Sequence, residues 1–93
     1  MVWKVKIAAE AQKELKKLDK PVAQRITEFL RQRVAVLEDP RRMGAPLRGS
    51  SLGEFWKYRV GDYRLICRIE DDVLLVLVLR LGHRSAVYKR SLH

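Results

Sequence analysis

Polarity alternates with period two at the start of the chain. Trp3, Val5 and Ile7 fall on one side and Lys4 and Lys6 on the other, the pattern of a half-buried strand whose lysines discourage pairing with other molecules. From Ala8 to Leu18 the period changes: Ala8, Ala11, Leu15 and Leu18 recur at helical spacing, with Glu10, Lys13, Glu14 and Lys17 outside, which predicts an amphipathic helix. Asp19-Lys20-Pro21 breaks it and starts another, proline standing where a helix tolerates it, and Val22, Ile26, Phe29, Leu30, Val34 and Leu37 form the second buried stripe. Glu38-Asp39-Pro40 ends this helical pair, and Arg41 to Gly53 has the glycine, proline and serine content of a loop.

Strand-like sequence follows. Phe55 to Val60 and Tyr63 to Ile69 are β-prone runs joined by Gly61-Asp62, a two-residue Gly-X turn that predicts a tight hairpin. That turn sets Val60 opposite Tyr63, Arg59 opposite Arg64, Lys57 opposite Ile66 and Phe55 opposite Arg68. One face then carries Trp56, Tyr58, Val60, Tyr63, Leu65, Cys67 and Ile69 and reads as core. The other carries Phe55, Lys57, Arg59, Arg64, Ile66 and Arg68. After an acidic turn at Glu70-Asp71-Asp72, the run Val73 to Leu79 is apolar at every position, as expected of a central strand covered on both faces. Whether Arg80 joins the basic face depends on the length of that turn. Gly82-His83-Arg84 closes the strand, and Ser85 caps a short terminal helix reaching Leu92. The order β-α-α-β-β-β predicts an α+β fold in one domain spanning 1–93: a helical hairpin packed on one face of a small, antiparallel-rich sheet, with a short C-terminal helix and the opposite face open and basic.

The 93 residues suffice for one core and no more. With 20 Lys+Arg against 11 Asp+Glu the net charge is +9, which directs attention to a polyanionic partner such as nucleic acid or to an acidic protein. The excess is concentrated toward the C-terminal half. Cys67 is the only cysteine, so intrachain disulfides are excluded and a reducing compartment suits the chain. The opening residues lack the apolar core of a signal peptide and the run at 73–79 is too short to span a bilayer, so no membrane association and a cytoplasmic location are expected.

The histidines and cysteine, at 83, 93 and 67, have no zinc spacing, and no glycine-rich phosphate loop, nucleophile elbow or paired-carboxylate site occurs. Asp71 and Asp72 read as turn residues. What remains is a set of cations and a phenol: Lys57, Arg59, Arg64, Arg84 and Tyr88. Arg59 and Arg64 face each other directly, an arrangement that costs up to ~1 kcal/mol and that a bound anion would relieve; the other reading is a solvated face whose arginines splay apart. Cations can catalyse phosphoryl transfer without a metal by neutralising the phosphorane and its leaving oxygen, and RNA brings its own nucleophile in the 2′-hydroxyl.

Leu47-Arg48-Gly49, Trp56-Lys57-Tyr58-Arg59-Val60-Gly61-Asp62-Tyr63-Arg64 and Gly82-His83-Arg84 with Val87-Tyr88 together resemble the signature of RelE-type toxins in the RelE/ParE superfamily, and the element order resembles theirs along nearly the whole chain. The resemblance implies a small, cofactor-free ribonuclease that enters the A site of the 70S ribosome and cuts mRNA by 2′-hydroxyl attack. It also implies a RelB-like antitoxin, and contact with operator DNA only through the toxin–antitoxin complex. Under it Arg64 stabilises the transition-state phosphate, Arg84 protonates or stabilises the leaving 5′ oxygen, and Tyr88 stacks on or orients the nucleotide.

Lys57 is the expected general base or its electrostatic substitute, because arginine does not deprotonate in practice. The family pattern has Lys-x-Lys on this strand, whereas this chain offers Phe55-x-Lys57 or Lys57-x-Arg59, so Arg59 can hold a phosphate but not act as base. Arg48, Arg59, Arg68 and His83 are expected to contact RNA, His83 also being able to exchange a proton near neutral pH. Two rivals remain: a ParE-like inhibitor of DNA gyrase on the same fold, and a non-catalytic nucleic-acid-binding module. For the latter only Phe55 and Tyr88 are left to stack on bases.

Overall fold

The computed structural model describes residues 3–47 and 55–86. Its elements are β1 (Lys4–Ile7), α1 (Ala9–Lys16), α2 (Lys20–Phe29), β2 (Ala45–Pro46), β3 (Phe55–Val60), β4 (Tyr63–Glu70) and β5 (Leu75–His83). The five strands form one sheet in the order β1-β5-β4-β3-β2, with β1 parallel to β5 and the other pairs antiparallel. The two helices pack on the sheet face that carries Tyr58, Val60, Leu65, Cys67, Ile69, Val76, Val78 and Leu81, where Ala11, Ile26, Leu30 and Val34 complete the core.

The periodicity reading holds, with instructive departures. The second helical stripe is real, but only Lys20–Phe29 is α-helix; Leu30–Val34 is one π-helical turn, closed by Ala35 N–H donating to Leu30 O over 2.9 Å. Leu30 and Val34, at the two ends of this turn, are both buried. The segment read wholly as loop contains β2, a two-residue strand that pairs Ala45 with Lys57 and Pro46 with Trp56. The residues expected to form the terminal helix are a turn over 84–86 and otherwise lie outside the described residues.

The back of the sheet is less open than its charge suggests. Phe55 (6 % exposed) and Ile66 (0 %) bury against Leu47 and Leu79 as a second, smaller core. The idea that Phe55 is available for base stacking is therefore corrected: an apolar residue preceding a cationic strand was claimed by Leu47 folding back over it, Leu47 N–H donating to Phe55 O. The hairpin register is as expected, Arg59 opposite Arg64 and Lys57 opposite Ile66. Gly61 alone of the turn pair takes a positive φ, +59°, the type II′ pattern that glycine satisfies without strain.

Polar tips of three aromatic side chains fasten the connection between the helices and β3. Trp3 Nε1 donates to Glu38 O (3.0 Å), Tyr58 Oη to Pro40 O (2.8 Å) and Trp56 Nε1 to Met43 O (2.7 Å). Each ring contributes apolar burial at one end and satisfies a backbone carbonyl at the other. Burial pushes both the Tyr58 phenol and the Cys67 thiol well above their ordinary pKa ranges, so both stay neutral. Arg41, which pairs with both oxygens of Asp71 at 2.8 and 2.9 Å, ties the same connection to the β4–β5 turn. Gly44 ends it with φ +76°, where an added Cβ would collide with Lys57 O and lie 2.8 Å from Trp56 Nε1.

Two substitutions test this fastening. Tyr58→Phe leaves Pro40 O without its buried donor and should lower the unfolding free energy by about 1–2 kcal/mol in urea titration. Gly44→Ala combines a left-handed backbone with a clash against β3 and should cost at least ~2 kcal/mol; an unchanged midpoint for either variant would show that the connection is not held as described.

Candidate active site

Period-two alternation along β3 and β4 puts Lys57, Arg59 and Arg64 on the face of the sheet opposite the helices. β2 and Gly44 form the adjoining wall, and together Gly44, Ala45, Lys57, Tyr58, Arg59 and Arg64 line a cleft of about 300 Å³. No acidic side chain among the described residues lines it. Gly82 pairs with Arg64 across β4 and β5, so this row presents no side chain on the far side of the arginine. Lys57 is half-buried, Arg64 likewise, and Arg59 is exposed.

The facing arginines avoid each other by an arrangement the sequence did not disclose. Arg64 turns its Nη1 onto the hairpin turn, donating to Gly61 O (3.0 Å) and Tyr63 O (3.1 Å). Carbonyl oxygens fix the guanidinium without neutralising it, so its charge remains available to an anion. Arg84 is brought to the same turn by its backbone, its N–H donating to Asp62 O over 2.8 Å, while its side chain is exposed. Thus three consecutive residues, Gly61 to Tyr63, anchor the two arginines singled out from sequence.

Other expected contributors are spread more widely. Arg68 is exposed on the same face of β4 as Arg64, four residue pairs further from the turn, opposite Phe55. His83 is in register with Tyr63, on the helix side of the sheet, with the two rings edge to face at 5.7 Å. Its Nδ1 accepts from Ser85 N–H (3.2 Å) and lies 2.8 Å from Ser85 Oγ, which favours the tautomer with the proton on Nε2. Arg48 and Tyr88 lie outside the described residues. No three His, Cys, Asp or Glu side chains converge among the described residues.

Arg59 also continues beyond the cleft. On the helix side of β3 it lines two further grooves, of about 440 and 260 Å³, both of which it shares with Arg25, Val60 and Gly61; Arg33 and Glu28 line the larger and Asp62 the smaller. β2 pairs with β3 only at Trp56 and Lys57, and among the described residues no strand pairs with this edge of β3 at Arg59.

Arg80 is separated from this group. A bulge at Leu79 brings it into register with Ile66, yet its guanidinium turns to α1 and pairs with Glu14, Nε to Oε1 and Nη2 to Oε2, each 3.2 Å. That pairing raises the Arg80 pKa further. The cations at the cleft and the cation committed to structure are therefore distinguished by their partners.

The chain matches the family model of the ParE toxin of the type II toxin–antitoxin system parDE over residues 5–88. It is 34 % identical over 90 residues to the toxin RelG of Mycobacterium tuberculosis, covering 97 % of this chain and 100 % of that protein. To the toxin RelE of the same organism it is 33 % identical over 89 residues, covering 96 % and 89 %. Among solved structures, the M. tuberculosis toxin–antitoxin complex RelBE2 superimposes with a TM-score of 0.80 at 32 % identity, covering 91 % of this chain and 94 % of that one. A double variant of the E. coli toxin RelE in the free state gives 0.70 at 28 % identity, covering 99 % and 100 %. A family match spanning nearly the whole domain, on a sheet whose hairpin carries the expected cations, makes this chain a RelE-type toxin of the RelE/ParE superfamily of type II toxin–antitoxin systems.

Proposed function

We propose that the protein is a ribosome-dependent endoribonuclease that cuts mRNA in the ribosomal A site and so inhibits translation. The observation that carries this reading is a cleft walled by Lys57, Arg59 and Arg64, with Arg84 tethered to the same hairpin turn. In this reading the RNA 2′-oxygen attacks the adjacent phosphorus and the bond to the 5′ oxygen breaks, leaving a 2′,3′-cyclic phosphate and a 5′-hydroxyl; water then opens the cyclic ester where a 3′ phosphate is the final end. Lys57 takes the proton of the 2′-hydroxyl or steadies the oxyanion that replaces it. Arg64 holds the equatorial phosphate oxygens, where charge accumulates in the transition state. Arg84 donates a hydrogen bond that stabilises the leaving 5′ oxygen, which takes its proton from water or from the protonated Lys57, and Tyr88 orients the nucleotide. Arg48, Arg59 and Arg68 hold flanking phosphates, and His83 contacts RNA outside the cleft, from the helix side of the sheet beside Tyr63.

The ribosome supplies what a groove of this size lacks, a fixed path for the mRNA, and the positive surface supplies attraction to it. The reading includes a RelB-like antitoxin as partner, supported by the solved RelB–RelE complexes of similar toxins, operator DNA bound only through the toxin–antitoxin complex, and a cytoplasmic site of action. Among the described residues no helix is long and apolar enough to cross a membrane. A second reading, a gyrase inhibitor on the same fold, is favoured by the family model that matches, whose description is that of a ParE toxin.

Arg64→Ala and Arg84→Ala separate the two. Each should lower single-turnover mRNA cleavage by ~10²–10³-fold, the loss expected when one electrostatic contact to a developing charge is removed, while circular dichroism and ribosome co-sedimentation stay near wild type. Cleavage at the wild-type rate by both folded variants would remove the assigned roles, and gyrase-dependent DNA breaks from a wild-type protein that leaves mRNA intact would replace the reading. Binding to ribosomes should weaken steeply with salt, and Arg59→Ala should reduce the slope of log K against log [salt] by about 1, as loss of one phosphate contact does.

A further inference from the structure

β5 outruns its neighbour. β1 accompanies it only from Leu75 to Val78, the last bond being Ala8 N–H to Val78 O, whereas β5 continues to His83. Immediately after β1 ends, the bulge at Leu79 shifts the alternation, so that Leu81 presents its N–H on the side where no strand remains. There α1 takes over: Glu14 Oε1 accepts from Leu81 N–H over 2.9 Å, and the same carboxylate grips the Arg80 guanidinium. The pair is secluded, with the Glu14 side chain 11 % and the Arg80 side chain 24 % exposed.

The next three residues lead to Arg84, which the proposed chemistry needs. Gly82 pairs with Arg64, His83 with Tyr63, and Arg84 N–H reaches Asp62 O. A slip of this segment by one residue would turn each side chain to the other face and detach Arg84 from the hairpin turn. We propose that Glu14 is a positioning residue. Its carboxylate stands in for the missing strand, locks β5 in its register after the bulge, and so sets where Arg84 stands relative to Arg64. This deepens the ribonuclease reading and rests on it for its catalytic consequence. Arg80 serves as the splint that orients the carboxylate, which explains a cation withdrawn from a face where it would otherwise join the phosphate contacts.

What holds β5 is reach and an acceptor oxygen at Leu81 N–H, the charge serving to hold Arg80 alongside, and two variants part these. Glu14→Gln keeps the length and an oxygen for Leu81 N–H; Glu14→Asp keeps the charge but is one methylene short. In single-turnover cleavage on programmed ribosomes, Glu14→Gln should stay within about threefold of wild type, whereas Glu14→Asp should fall by ~10–10²-fold, the effect of displacing a reacting group by about an ångström. Ribosome affinity should be unchanged in both. Amide hydrogen exchange of the free toxin supplies a readout independent of activity: Leu81 to Arg84 should lose protection in Glu14→Asp and keep it in Glu14→Gln, with β1 unaffected. Wild-type rates and protection in Glu14→Asp, or equal losses in both variants, would overturn the proposal. If the wild-type protein leaves RNA uncut while exchange follows the expected pattern, the ribonuclease reading fails and the positioning of β5 by Glu14 stands.

Discussion

The hairpin turn Gly61-Asp62 is the constraint on which the site depends. Its positive φ at Gly61 fixes a two-residue loop, the loop fixes the register, and the register puts Arg59 and Arg64 side by side. Such a juxtaposition is unfavourable on its own. The turn resolves it by offering backbone oxygens: Gly61 O and Tyr63 O to Arg64, and Asp62 O to the Arg84 amide. A carboxylate in their place would hold the arginines as well but cancel their charge, as Glu14 does for Arg80 and Asp71 for Arg41. Neutral acceptors give position while leaving the electrostatic field for a substrate phosphate.

A second requirement is a wall. Lys57 and its neighbours would lie on a flat sheet edge without β2, and two residues of strand would not persist alone. They persist because the connection leading to them is fastened at Glu38, Pro40 and Met43 by Trp3, Tyr58 and Trp56, and because Gly44 lets the backbones approach. Burial of aromatic rings in the main core is thus coupled directly to the shape of the cleft on the opposite face. Past β2, Arg59 lines both the cleft and the helix-side grooves.

Much of this was legible in the residue pattern, because strands with one buried face and a glycine turn specify register almost by themselves. The pairing of Arg59 with Arg64, the buried state of Cys67 and the two helices follow from alternation and helical spacing. The π-turn at Leu30, the bulge at Leu79 and β2 do not, since each departs from a period by one residue or spans too few residues to have a period. Arg80 was ambiguous because its face depended on the length of the β4–β5 turn, and the bulge at Leu79 then shifted it once more. Its partner Glu14 looked like one more exposed residue of an amphipathic helix, and only the length mismatch between β1 and β5, a property of the assembled sheet, brings that carboxylate to the Leu81 amide and the Arg80 guanidinium. Likewise Phe55 read as a free aromatic because Leu47, which covers it, sits in a stretch dominated by loop formers.

The central claim, that this cationic cleft cuts RNA held by the ribosome, is tested most directly by mapping mRNA 5′ ends in a purified translation complex with the wild-type protein, with and without ribosomes. The account predicts 5′-hydroxyl ends confined to the A-site codon, present only when ribosomes are present. Intact mRNA under both conditions, with ribosomes shown to be programmed and the toxin folded, would contradict it.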